Sequence, residues 1–265
     1  MEPTLADLES LARGAGEILR IGSKTGFRVS HKGVTDLVTE LDYKSEQYLL
    51  DRIREKFPGH QIVTEESGQH DGDPSHQWLI DPLDGTTNFS HGVPIYAVSL
   101  GYLRDGVPQM GAVYDPNLDA CFSAERGLGS WMNGKRLRVS EGAMLDQSLL
   151  VTGFPYDIRT NPANNLDHYA HFALRTHAVR RLGSAALDLC YVADGRFDGY
   201  WELSLSPWDL AAGALIVEEA GGIVTRLDGE ADYLRPPYSV LAGNPVIHAQ
   251  MLEYFQNTLG RDHLH

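Results

Sequence analysis

Trp78-Leu79-Ile80-Asp81-Pro82-Leu83-Asp84-Gly85-Thr86-Thr87-Asn88-Phe89 joins an apolar run directly to two acids, a proline and a glycine. Trp78 to Ile80 reads as a buried strand. Pro82 and Gly85 should break it, which places Asp81 and Asp84 on a tight turn where both carboxylates can point to one spot. Gly85, Thr86 and Thr87 then open a short helix, and free N–H groups at a helix start suit phosphate. An Asx-turn beside a helix cap would explain one aspartate but not the whole run.

Upstream, Gln61 to Thr64 reads as a strand ending on Glu65-Glu66, acids at a strand end where binding groups gather, although a glutamate pair in a loop is by itself usually solvated. Leu5, Leu8, Leu11, Ala12, Ala15, Ile18 and Leu19 predict an amphipathic first helix ending near Gly22. A second helix should run from about Asp42 to Phe57 and stop at Pro58-Gly59. Downstream, Ala97 to Tyr102, Met110 to Tyr114 and Ala120 to Ala124 read as strands, joined in antiparallel hairpins by turns at Arg104-Asp105-Gly106 and Asp115-Pro116-Asn117.

The second half alternates. Strands are expected near Ser148 to Thr152, Ala178 to Arg180, Phe197 to Trp201, Ile223 to Arg226 and Ser239 to Ala242. Helices are expected at Asn165 to Arg175, from Ser184 to Gly195, at Pro207 to Ala220 and at Val246 to Leu259. Pro207 suits a first helical turn with Ser206 as cap, and Asp209 follows in that turn, where the helix dipole alone would account for it. The expected class is mixed α+β, with sheets layered between helices. No repeat, low-complexity segment or long linker interrupts the chain, so we expect one domain over residues 1–265, built of sub-structures at about 1–145 and 146–265.

The 265 residues are 42% hydrophobic, enough for a sizeable core, and the formal net charge is -14. Without a run of Lys and Arg, neither nucleic acid nor a membrane surface is the expected main ligand. An acidic protein with an anionic substrate must supply positive charge locally, and a divalent cation is a compact way to do so. Cys121 and Cys190 match no metal or redox spacing and read as buried thiols of a reducing compartment. Met1 to Leu11 carries Glu2, Asp7 and Glu9 with no apolar core segment, which argues against a signal peptide, and the expected location is the cytoplasm.

Three stretches together resemble the inositol monophosphatase family, a branch of the group that contains fructose-1,6-bisphosphatase. They are Thr64-Glu65-Glu66-Ser67, the run from Trp78 to Phe89, and Trp208-Asp209-Leu210-Ala211-Ala212-Gly213 continuing to Glu219-Ala220-Gly221-Gly222. The resemblance implies a layered α-β-α-β-α sandwich of the sugar-phosphatase type with its site between two halves, and a homodimer. It implies two to three Mg²⁺ ions: Glu65, Asp81 and the Leu83 carbonyl at one, Asp81, Asp84 and Asp209 at a second, Glu65 with waters at a third. Four carboxylates without a Cys or suitable His also favour Mg²⁺ over zinc.

The implied activity is hydrolysis of a small phosphate monoester, inositol 1-phosphate first among them, by water and without a phosphoenzyme. Thr86, bonded to Asp42, would orient and help to deprotonate that water, with Glu65 as the third catalytic residue; Asp42 could equally be a helix cap. Asp84 and Glu202 would accept from substrate hydroxyls and the Ala185 backbone would donate, while Gly85, Thr86 and Asp209 complete the substrate contacts. Ser184 could be only a cap. Lys32, before Asp36, is implied to lie on a mobile loop near the metals, with an exposed lysine that has no partner as the equal alternative.

Fructose 1,6-bisphosphate, nucleotide and histidinol phosphate remain alternative substrates, although Thr87 stands where relatives acting on phosphoadenosine phosphate carry Lys and those acting on histidinol phosphate carry Arg. Arg180, Arg181 and Arg196 could grip a second phosphate, or could pair structurally at a sheet end or dimer contact. His168 and His171 have helical spacing for a metal but no third ligand. His263 and His265 belong to a tail expected to fray. Some bacterial relatives bind transcription machinery, which makes a regulatory protein the rival reading, and lithium inhibition is typical of the family.

Overall fold

The computed structural model describes residues 2–31, 33 and 37–259. Lys32, Asp36, His263 and His265 lie outside them. Helix α1 (Leu5–Thr25) starts on a capping box, in which Thr4 accepts from the Asp7 amide and Asp7 accepts from the Thr4 amide. It runs past the expected stop at Gly22, because Gly22 lies against the Leu41 side chain inside the helix, and the chain turns away only at Gly26, φ 82°. After the antiparallel pair β1 (Val29–His31) and β2 (Leu37–Thr39), helix α2 (Glu40–Lys56) opens on a second capping box, Thr39 with Asp42.

Then come β3 (His60–Thr64), β4 (Gly68–His70), β5 (Asp73–Asp84), the short helix α3 (Thr86–Ser90), β6 (Ala97–Arg104), β7 (Val107–Asp115), β8 (Ala120–Glu125), β9 (Gly129–Met132) and β10 (Lys135–Arg136). They form an eight-stranded sheet ordered β10-β9-β8-β7-β6-β5-β3-β4. The expected hairpins are there, as β6–β7 and β7–β8. The tight turn expected at Asp81 and Asp84 is corrected. Strand β5 continues through Pro82 to Asp84 by a register shift against β6, with Asp81 opposite Ser99 and Asp84 opposite Ala97. Such an irregularity tolerates the missing proline N–H and bends the strand, so the two acids flank a bulge.

The second half supplies β11 (Leu149–Thr152), α4 (Leu166–Ala173), β12 (Ala178–Arg180), α5 (Ala185–Ala193), β13 (Gly199–Leu203), α6 (Pro207–Glu219), β14 (Ile223–Thr225), β15 (Ser239–Gly243) and α7 (Pro245–Leu259). Its sheet is ordered β12-β11-β13-β15-β14, parallel at β11/β12 and β11/β13 and antiparallel elsewhere. Helices α1 and α2 cover one face of the large sheet, α5 and α6 lie between the two sheets, and α4 and α7 cover the far face of the small one. The layers therefore run α-β-α-β-α, the expected class.

Leu210 through Val217 of α6 are all buried, as a helix between two sheets requires. Its close approach to the large sheet depends on Gly101 of β6, which pairs across the ladder with Gly111 of β7. A Cβ on Gly101 would fall 2.6 Å from the Ala211 Cβ, and one on Gly111 would fall 2.8 Å from the Ala212 Cα. Gly111→Ala should therefore lower stability by about 1–3 kcal/mol, read as a lower urea midpoint followed by circular dichroism. An unchanged midpoint would mean that α6 has room to retreat.

Candidate active site

The ends of several elements meet at a cleft of about 380 Å³. Glu65 follows β3, Asp81, Leu83 and Asp84 come from the end of β5, and Gly85 and Thr86 open α3. Ala185 opens α5, Glu202 lies on β13, and Asp209 stands in the first turn of α6. All of these line the cleft. Asp42 does not, but it lies directly behind, where its Oδ1 accepts from the Thr86 hydroxyl at 3.0 Å. The same hydroxyl also reaches the Leu83 carbonyl at 2.9 Å.

Each acid is fixed by local donors. Asp42 uses its two oxygens for both roles that its position allows: Oδ2 caps α2 through the Thr39 amide and hydroxyl, and Oδ1 takes Thr86. Asp81 Oδ1 accepts from the Leu83 amide at 2.9 Å, and Asp209 Oδ2 from the Ser206 amide at 2.7 Å. Asp84 Oδ2 accepts from the Ser184 hydroxyl at 2.6 Å and the Ala186 amide at 2.8 Å. Ser184 is thus more than a cap. The amides that open α5, expected to be free for a ligand, are turned to Asp84, that of Ala185 included.

Burial raises the carboxyls of Asp81, Asp84 and Asp209 above their ordinary values, and mutual repulsion adds to it at Asp81 and Asp209. Glu65 contributes to that repulsion at both. Among the described residues no group of three or more His, Cys, Asp or Glu side chains is arranged to hold a metal ion, so the expected convergence on shared ions is not drawn tight here. The chemistry of the donor set nevertheless fits a hard divalent cation. All the available groups are oxygens, they are like-charged, and bound cations would relieve the repulsion that raises them.

Several residues missed by sequence reasoning shape the site. Asn88 donates to the Ile95 and Leu182 carbonyls, each at 2.8 Å, and so ties α3 to the segment before α5. Ser45 holds the Pro82 carbonyl at 2.9 Å, and Glu46 accepts from the Glu66 amide at 3.0 Å. Asp188, one turn into α5, is 1% exposed and its Oδ1 has no hydrogen-bond partner. Burial, with Glu202 and Asp84 nearby, pushes its carboxyl well above the usual range. Its only sequence signal is an acid inside an apolar helix.

Of the three arginines, Arg181 alone lines the cleft. Arg196 pairs with Asp194 at 2.7 Å and lies over the Tyr191 ring, and Arg180 reaches the Val179 carbonyl from the surface. His168 bonds the Tyr254 hydroxyl and His171 stacks on the Tyr254 ring, which accounts for both by packing. Cys121 and Cys190 are buried and unpaired. Among the described residues no helix is long and apolar enough to cross a membrane.

The layered fold and an acid-lined cleft define a class, and comparison with known proteins gives the family. The profile of the inositol monophosphatase family matches residues 1–259. Similar proteins include the Nus factor SuhB of Escherichia coli, 42% identical over 262 residues, 98% of each chain. The inositol-1-monophosphatase of Mesorhizobium japonicum is 42% identical over 251 residues, 94% of this chain and 92% of the relative. The solved inositol monophosphatase of Anabaena superposes with a TM-score of 0.87 at 42% identity, covering 96% of this chain and 95% of that one. The chain belongs to the inositol monophosphatase family.

The Asp188 carboxyl gives a stability prediction. Folded Asp188 keeps a proton that an unfolded aspartate, of ordinary value 3.8, releases. Its contribution is therefore full below that value and is lost as pH rises toward the higher folded one. Asp188→Asn removes this loss. The melting temperature of the variant relative to the unsubstituted protein should rise as pH increases above about 4. A difference that stays constant with pH would contradict a protonated Asp188.

Proposed function

We propose that the chain is a Mg²⁺-dependent phosphoric monoester hydrolase whose preferred substrate is inositol 1-phosphate. The observation that carries this reading is one cleft lined by Glu65, Asp81, Asp84 and Asp209, acids from three separate segments, with the Thr86–Asp42 hydrogen bond at its edge. Glu65, Asp81, Asp84, Asp209 and the Leu83 carbonyl would hold two to three ions. Once bound, Mg²⁺ supplies Lewis acidity, lowering the pKa of water and neutralising charge on the phosphate and the leaving oxygen.

The rest of the chemistry belongs to side chains. A water oxygen attacks phosphorus as the bond to the alcohol oxygen breaks. Thr86 accepts a hydrogen bond from that water and passes proton density toward Asp42, whose Oδ1 already holds the hydroxyl. Burial raises the Asp42 carboxyl, which suits a group that takes a proton and returns it. Gly85, Thr86 and Asp209 contact the substrate, and Asp84 and Glu202 read the hydroxyls of the alcohol. The two sub-structures act as one domain, and we place the protein in the cytoplasm as a homodimer.

Phosphate release from inositol 1-phosphate should require Mg²⁺ and be inhibited by lithium. Asp84→Asn should keep the far-ultraviolet spectrum and lose at least about a hundred-fold in kcat/KM. Near-native turnover by that variant would remove Asp84 from the ligand set. A second reading is favoured by the whole-length likeness to a Nus factor: a regulatory protein that binds transcription machinery. Retention of RNA polymerase by the immobilised protein, with no turnover of any monoester, would favour it.

A further inference from the structure

Glu202 faces the cleft from β13, and its placement depends on two neighbours. Tyr200 lies two residues earlier on the same strand, so both side chains leave the same face of the sheet. The Tyr200 ring is fully buried and its hydroxyl donates to Glu202 Oε2 at 2.6 Å, its sole hydrogen bond among the described residues. On the other side stands Gly153, which also lines the cleft. A Cβ there would fall 2.0 Å from Glu202 Oε1, so only glycine leaves room for the carboxylate.

Burial, opposed by the Tyr200 hydrogen bond, helped by nearby Asp84 and opposed again by Arg181, leaves the Glu202 carboxyl raised to about 7. Without the phenol the buried carboxyl would lie higher still, so this hydrogen bond favours the charged acceptor. With Oε2 committed to Tyr200, Oε1 is the acceptor left for a ligand. A carboxylate free to rotate would offer no fixed acceptor; one held by a short hydrogen bond does.

We propose that Tyr200 is the specificity-determining positioning residue of the cleft: its hydroxyl fixes Glu202 as an acceptor, so that phosphate esters of polyols are preferred over esters whose alcohol half carries no hydroxyl. The inference rests on the phosphatase reading above. It places Tyr200 behind the substrate and out of contact with it. The loss on removing its hydroxyl should fall on recognition of the alcohol and leave the phosphate chemistry alone.

The test compares inositol 1-phosphate with phenyl phosphate, whose leaving group has no further hydroxyl, at saturating Mg²⁺. Tyr200→Phe should lower kcat/KM for inositol 1-phosphate about ten-fold, chiefly through KM, and change that for phenyl phosphate by less than about two-fold. Glu202→Gln should show a loss of similar direction on inositol 1-phosphate. The double variant should lose no more than the larger single loss, because the two side chains act as a unit. If Tyr200→Phe keeps the substrate ratio, lowers both esters alike, or adds its full loss to that of Glu202→Gln, the inference is overturned while the phosphatase reading stands. If the unsubstituted protein turns over neither ester, the phosphatase reading fails and the inference falls with it.

Discussion

Three aspartates, one buried and two half-buried in one cleft, each lose water, and each lies within the field of other acids. Asp81, Asp84 and Asp209 bear these costs. They are held in place by backbone amides and one hydroxyl: Leu83 for Asp81, Ala186 and Ser184 for Asp84, Ser206 for Asp209. Asp84 faces the start of α5 and Asp209 sits in the first turn of α6, where the helix dipole favours a negative charge. Either protons or bound cations would relieve these costs. In a protein of net charge -14, that is how an anion such as phosphate can be drawn to an acidic site.

The position of Asp209 follows from packing some way from the cleft. Helix α6 can lie close to the large sheet only because Gly101 and Gly111 leave a flat patch under Ala211 and Ala212. On its other side, Gly213 meets Leu189 of α5. The two helices are thereby set relative to the large sheet, and α5 delivers Ser184 and Ala186 to Asp84 across a separation of about a hundred residues. Asn88 repeats the tie with its bond to the Leu182 carbonyl. Asp84 of the first half is thus held by donors of the second.

How much of this was legible in the sequence depended on how local the physics is. The strand into Asp81, the helix cap at Ser206-Pro207 and the hairpin turns carry their signals within a few residues, and they appear where expected. Pro82 was misleading, since proline reads as a strand stop and nothing local shows that β6 accommodates a register shift there. Asp42 left two roles open, and its two oxygens perform one each. Asp188 and Tyr200 were silent for a different reason. An acid between Leu187 and Leu189 reads as the wet side of a helix, and a tyrosine in a strand reads as core. Only the burial of α5 between two sheets, and the facing of Tyr200 toward Glu202, give them meaning.

The two regions of the cleft are consequently built by different rules. The acid end is assembled largely from short-range bonds, Asp81 to Leu83, Ser206 to Asp209, Thr39 to Asp42, each closed within three residues of chain. Another part of the wall is assembled from segments far apart in sequence, Gly153, Arg181 and Glu202, with Tyr200 behind Glu202. Glu202 and Tyr200 bond to each other, whereas Asp81, Asp84 and Asp209 take their donors from Leu83, Ser184, Ala186 and Ser206. A change in that wall would therefore leave the donors that fix the acids in place. Such a division would let one acidic constellation serve different phosphate esters, because the Glu202–Tyr200 pair that would read the leaving group is held apart from the bonds that fix Asp81, Asp84 and Asp209.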